Sequence, residues 1–311
     1  MSAVSASFGT CAVPPARGLV LRLLVLVSSL LGPLPLAAQW FAGSAAELRS
    51  NDNVSRSPLT AYALEDVAAL ASVDGGLHLQ TADYTGLTLA TTLTREQFRR
   101  YSGLSHTRLN LAATLEHKFG LGERVPVLRL GASIERAAFK ASERNHWLQT
   151  ISLGYRQRLT DRMQISAAIA HEKQQGDFDR LRRAVPPTPQ LPGDTWNLEA
   201  LVASAAIEWD TGAASWLTAS LQYRDGETAA SIPPQPSILL QSTAVTFDPV
   251  FGPGVVAYRI DARTRQLSLD WNLAVSDAAT AYIGIERQLT RGGTSLRYRA
   301  GIIRAGVVFS Y

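Results

Sequence analysis

From Gln39 onward, apolar and polar residues alternate with a period of two. Leu109, Leu111, Ala113, Leu115, His117 and Phe119 alternate with Asn110, Ala112, Thr114, Glu116 and Lys118. The same rhythm carries Leu267, Leu269, Trp271, Leu273 and Val275 past Ser268, Asp270, Asn272 and Ala274. It recurs in Ile151, Leu153, Tyr155 and Leu159, and in Val73, Leu77 and Leu79. Successive side chains of an extended strand point to opposite faces, so each segment has one apolar and one polar face. The pattern predicts strands near 39–50, 65–81, 87–101, 107–119, 126–140, 147–159, 163–177, 196–209, 214–226, 257–275, 279–288 and 295–311. That makes twelve; one merged or split segment would make ten or fourteen.

The connections sort by length. Short ones lie near 82–86, 120–124, 160–162, 210–213 and 276–278. Between them fall 50–64, 102–106, 141–146, 178–195, 227–256 and 289–294, several of them much longer. Short turns on one rim and longer loops on the other predict an all-β, antiparallel, up-and-down transmembrane barrel with both ends on the short-turn side. A soluble β-sandwich gives no reason to sort loops in this way. Proline agrees. Of eleven prolines after residue 38, nine lie in two stretches, 186–192 and 233–253. Pro58 sits in another loop and Pro126 opens a strand, so none interrupts a strand interior, where a lost ladder donor is costly. Whether the stretch 231–253 folds over a mouth stays open at this point.

Composition changes this picture little. The 311 residues are 46% hydrophobic with a mean hydropathy of +0.01. Strands that alternate give such an average even inside a membrane. A net charge of +4 offers no nucleic-acid footprint. The single cysteine, Cys11, excludes a disulfide framework and a cysteine metal cluster.

The first residues read as an export signal. Arg17 and Arg22 precede the apolar run 23–31, followed by Pro33, Pro35 and Ala37-Ala38. The run is shorter than the roughly 20 residues a spanning helix needs. The expected division is a cleavable signal over 1–38 and a barrel over 39–311.

The segment Ile302–Tyr311 places Ile303, Ala305, Val307, Phe309 and Tyr311 on one face. A terminal aromatic preceded by apolar residues at alternate positions resembles the C-terminal signal of Gram-negative outer-membrane β-barrel proteins. The resemblance implies an outer-membrane location, contact with membrane lipids and lipopolysaccharide, and recognition of the last strand by the barrel-assembly machinery. It implies no particular activity, cofactor or oligomeric state. Phe119, Trp209, Trp271 and Phe309 fall near the same rim, where rings with one wet edge suit a membrane interface.

Candidate chemistry lies on the polar faces. The alternation assigns Glu116, Lys118, Arg129, Glu135, Arg156, Arg158, Glu172, Glu208, Arg224, Asp270, Glu286 and Arg304 to the lumen, six cations and six carboxylates. An isolated buried charge is expensive, so these need water or partners. Either they line a hydrated narrow channel for small polar solutes or ions, or they pair and fill a structural barrel that works through its external loops. Arg156 and Arg158 are expected to find Glu135 and Glu172 on neighbouring strands.

Enzymatic signals are weak. Gly103-Leu104-Ser105-His106-Thr107 lacks the second glycine of a nucleophile elbow. His117 and His171 are assigned outward with no serine beside them, and the five histidines form no metal pair. An outer-membrane lipid-modifying enzyme stays only as a remote alternative, and no metal or cofactor is expected. Three loop phrases remain. Ser50–Val54 reads as an Asx turn before a cation site, 119–122 as an interfacial aromatic entering a tight turn, and Phe247-Asp248-Pro249-Val250-Phe251-Gly252 as a plug or an external surface.

Overall fold

A computed structural model describes residues 38–177, 194–212, 214–293 and 296–311. The expected export signal lies, but for Ala38, outside the described residues, as does most of the loop 178–195. Thirteen strands follow in order: β1 Ala38–Asn51, β2 Asp66–Ala82, β3 Thr85–Phe98, β4 His106–Lys118, β5 Val127–Phe139, β6 His146–Thr160, β7 Met163–Gly176, β8 Leu198–Gly212, β9 Ser215–Ile232, β10 Ala244–Phe247, β11 Val256–Ser276, β12 Ala279–Gly292 and β13 Leu296–Ser310. A short helix, α1 (Pro236–Leu239), starts on a proline that needs no donor there.

Twelve of these strands form a closed antiparallel ring, and β10 is an extra strand on β11. Each ring strand pairs with its neighbour in sequence, save that β9 pairs with β11. Closure comes from β1 against β13, in register from Gly43 opposite Ser310 to Asn51 opposite Ile302. The ring leaves no free edge, which answers the need of a strand bundle in lipid to satisfy every backbone donor and acceptor.

Exposure alternates along each strand as the sequence does. Outward positions are apolar and bare, as at Leu111, Ile151, Ile169, Leu221, Leu267 and Ile303. Inward positions are mostly polar and half-buried. The molecule therefore wears its apolar residues outside, an arrangement water would punish and lipid rewards. Two-residue turns join β2 to β3, β6 to β7 and β11 to β12. The β4–β5 turn uses Gly120 and Gly122 at φ of +119° and +100°, where a side chain would be strained.

One boundary differs from expectation. Residues 227–232, assigned to a loop, continue β9 in register with β11, from Glu227 opposite Asp261 to Ile232 opposite Val256. The physical reason is a small apolar cluster beyond the wall. Ala230, Ile232, Ile238, Val256, Tyr258, Ile260 and Leu296 bury one another, with Val245 of β10 against them. That core exists only once α1 and β10 fold back, and period-two alternation does not report it.

Candidate functional site: the lumen and its mouth

The inner wall is a set of ion-pair knots. Arg304 of β13 reaches Asp270 of β11 at 2.7 Å and Glu286 of β12 at 3.9 Å. Arg129 of β5 meets Glu116 of β4 at 2.6 Å, and Arg156 of β6 approaches the same carboxylate at 3.8 Å. Arg224 of β9 pairs with Glu172 of β7. Glu135 lies 3.8 Å from Arg108, and Glu208 accepts from Gln164 at 3.0 Å. Lys118 sits at the short-turn end of β4 with no ion-pair partner among the described residues.

Arg156 and Arg158 do not meet Glu135 and Glu172. The ladders set Glu135 opposite Leu148 and Glu172 opposite Thr150, so both carboxylates lie well up β6 from the arginines. Arg158 instead bonds Glu123 in the β4–β5 turn at 3.0 Å. Parity along a strand gives the face; only the register gives the height.

Sequence reasoning missed a further knot. Arg49 bonds Glu47 at 2.7 Å and lies 3.7 Å from Glu96, which stands 3.5 Å from His106 Nε2. Tyr282 donates its hydroxyl to Glu47 at 2.5 Å. Glu47 and Arg49 alternate with Ala46 and Leu48, so the alternation that found the others carried the signal here too.

The long-loop end is covered. Asp248, from the β9–β11 connection, is fully buried and accepts from Arg144 of the β5–β6 connection and from the Ser231 hydroxyl. Ser231 in turn donates its backbone N–H to Ser55 of the β1–β2 connection at 2.9 Å. Arg144 also lies 4.4 Å from the Trp196 ring and 5.4 Å from the Phe251 ring. Burial pushes the Arg144 guanidinium below its ordinary pKa, and the Asp248 carboxylate opposes that shift.

Phe251 packs against Tyr101 with the rings tilted and their centroids 5.1 Å apart. Tyr101 belongs to the β3–β4 connection, with β4 to β9 on one side of it around the ring and β11 to β3 on the other. The β9–β11 connection therefore crosses the full mouth to reach the opposite rim. A Cβ on Gly103 would stand 2.7 Å from Val250, so that rim is cut to fit the crossing segment.

Beneath the cap lies a cavity of about 510 Å³. Arg49, Asp66, Glu96, Gln174, Glu286 and Arg304 line it, so both charge signs face the space.

The remaining phrases settle simply. Asn51 accepts the Asn53 N–H at 2.8 Å, an Asx turn, and Asp52 accepts from the Gly301 N–H at 2.7 Å. No group of three metal-ligating side chains stands together among the described residues. His117 bonds Thr85 and His171 bonds Glu199, both on the exposed outer face.

Comparison with solved structures fits this geometry. An outer membrane channel of Pseudomonas putida F1 superimposes with a TM-score of 0.51 at 12% identity, over 89% of this chain and 97% of that one. The fold is that of an outer-membrane β-barrel. The outer membrane channel DcaP of Acinetobacter baumannii aligns at 0.44 and 6% identity, covering 90% of this chain and 99% of that one. The KdgM porin, solved with disordered oligogalacturonate, aligns at 0.42 and 11%, covering 86% and 99%. No family model and no curated protein match the chain. The solved structures that resemble this fold are mostly porins and channels.

Proposed function

We propose that the protein is a narrow channel of the bacterial outer membrane, passing small polar solutes or ions, with its outer mouth held shut by a loop. The observation that carries this reading is the charged cavity under the cap, inside a closed ring of twelve strands. A barrel of this size stands between filled eight-stranded barrels and open sixteen-stranded porins. Opposed arginines and carboxylates on such a wall pass small ions and resist bulky or apolar solutes. Short turns face the periplasm and long connections face outward in this orientation.

The completeness of the Arg144–Asp248 closure favours a second reading, a barrel that stays shut and acts through its outer surface. Planar-bilayer recording separates the two. The wild type should show low or rare conductance. A variant with a short glycine–serine turn in place of residues 235–253 should open to large, steady steps. Silence in both proteins would remove the channel reading and leave the closed barrel.

A further inference from the structure

The outer face of the barrel is largely apolar, and arginines gather in one of its sectors. On β11, β12 and β13, just above the apolar belt, the outward positions become arginine. Arg263 stands opposite Arg291, and Arg291 stands opposite Arg297, a row of three across three neighbouring strands. One step lower, Arg265 and Arg299 flank Leu289. Below them the outward positions on these strands are first Arg287, which faces Asp52 at 3.9 Å, and then Leu267, Leu269, Ile285, Ile303 and Trp271, all exposed. The arginines therefore sit where hydrocarbon gives way to headgroups.

Their local chemistry is unbalanced. Arg263 has Asp225 at 3.3 Å. Arg265, Arg291, Arg297 and Arg299 have no side-chain partner among the described residues, and all four are exposed. Like charges directly opposite on a ladder are destabilising. Outward arginines elsewhere are provided for. Arg95 donates to Thr107 at 2.9 Å, and Arg136 is paired with Asp177 and lies 5.3 Å from the Trp147 ring. The sector forms a groove of about 670 Å³, with Asp225 at the end of the arginine row, Asp261 above it and Tyr223 and Leu289 one step lower.

We infer that this groove binds the phosphorylated headgroup of an outer-leaflet glycolipid, the lipid A part of lipopolysaccharide. A phosphate accepts bidentate bonds from guanidinium, and the planar fork of arginine suits it better than lysine would. The acyl chains would run down the adjoining Leu267–Ile303 face, so one ligand meets both halves of the surface. The inference rests on the outward orientation of the long connections but not on conductance.

Native mass spectrometry of the detergent-purified barrel tests it, with bis-phosphorylated lipid A and its dephosphorylated form as probes. The wild type should retain the phosphorylated form at least about tenfold more strongly, the effect of one or two charge-assisted bonds. R291Q/R297Q should lose that preference, and R291K/R297K should keep part of it. In lipid-free detergent the glutamine variant should unfold at or above the wild-type temperature, because a repulsion has been removed. Added lipid A should then raise the wild-type midpoint only.

Equal retention of both lipid forms would overturn the inference. So would displacement by millimolar inorganic phosphate, or equal competition by phosphatidylglycerol. A wild-type oligomer that R291Q/R297Q breaks in lipid-free detergent would also overturn it, by assigning the arginines to a protein interface. Failure of R291Q/R297Q to fold would be decided by the two single variants read against the same probes. An epitope at Gln235, reached by antibody on intact cells, checks the orientation separately.

Discussion

Two arginine–aspartate pairs stand at opposite ends of the barrel. At the outer mouth, Arg144 holds Asp248 with side-chain exposures of 12% and 0%. At the short-turn rim, Arg124 holds Asp161 at 2.7 Å with exposures of 61% and 86%. The partners are the same and the surroundings are not. In the first pair each ion has left water and depends on the other; in the second, water already solvates both. One end of this barrel is thus an interior and the other is a surface, though both are built from loops. The wall between them grades from one condition to the other, with Arg304 and Asp270 exposed by 24% and 13%.

The largest effect should follow from breaking the mouth pair on one side. D248A leaves the Arg144 guanidinium buried beside Trp196 without its carboxylate, a loss on the order of 3–5 kcal/mol. The barrel strands should survive, so the loss should appear as protease access to residues 233–255 and raised conductance, with heat-modifiable gel mobility kept. A double-mutant cycle with R144A sharpens the point: the double variant should recover part of the single variant's loss, since no lone charge remains. Full additivity would mean the pair is not coupled.

An intermediate effect is expected in the wall. R304A leaves Asp270 and Glu286, diagonal neighbours on β11 and β12, without the cation they share. A loss of roughly 1–3 kcal/mol in the unfolding midpoint follows if the wall is only partly wet. In a conducting protein the reversal potential across a salt gradient should also move toward cation selectivity.

The smallest effect belongs to the pair at the short-turn rim. Arg124, through its hydrogen bond and charge, holds the Asp161 carboxyl below its ordinary pKa. A depressed folded pKa adds stability above the unfolded value of about 3.9 and loses it as pH falls through the folded one. Because both groups are in water, D161N should melt almost with the wild type at neutral pH. The two should coincide once acid has protonated Asp161 in both states. A clear difference at neutral pH would mean this end is more closed than its exposure indicates.

Much of the wall could be read in advance, and little of the mouth. Leu267, Leu269 and Trp271 declared their strand because lipid on one side imposes a strict period, and the short turns followed from the gaps between such runs. Inward assignments such as Asp270, Glu286 and Arg304 are parity statements, and here parity brings them together. Arg156 and Glu135 show the limit, since the stagger between strands is set by the turns and not by either residue. Asp248 was visible only as part of a curious phrase. Its meaning depends on Ser231 at the end of β9 and on Arg144, which reaches it from a loop 104 residues away, and no local period encodes such a meeting. The arginines of β11 to β13 were legible one strand at a time, but their alignment into a row again needed the register.

The seam between β1 and β13 carries a kinetic consequence. Every other ladder of the ring joins strands linked by a single connection, so hairpins can form early and cheaply. The seam joins Asp52 to Gly301 across a separation of 249 residues, and Ala42 and Tyr311 finish it with mutual backbone bonds of 3.3 and 2.9 Å. Closing a long loop carries an entropic cost that grows slowly with length, but none of that cost is offset until the ends meet. Until that moment the growing sheet has two bare edges, each able to accept another chain. Assembly is then governed by one late, long-range event, and a change near Tyr311 should lengthen the life of the open sheet far more than it weakens the finished ring.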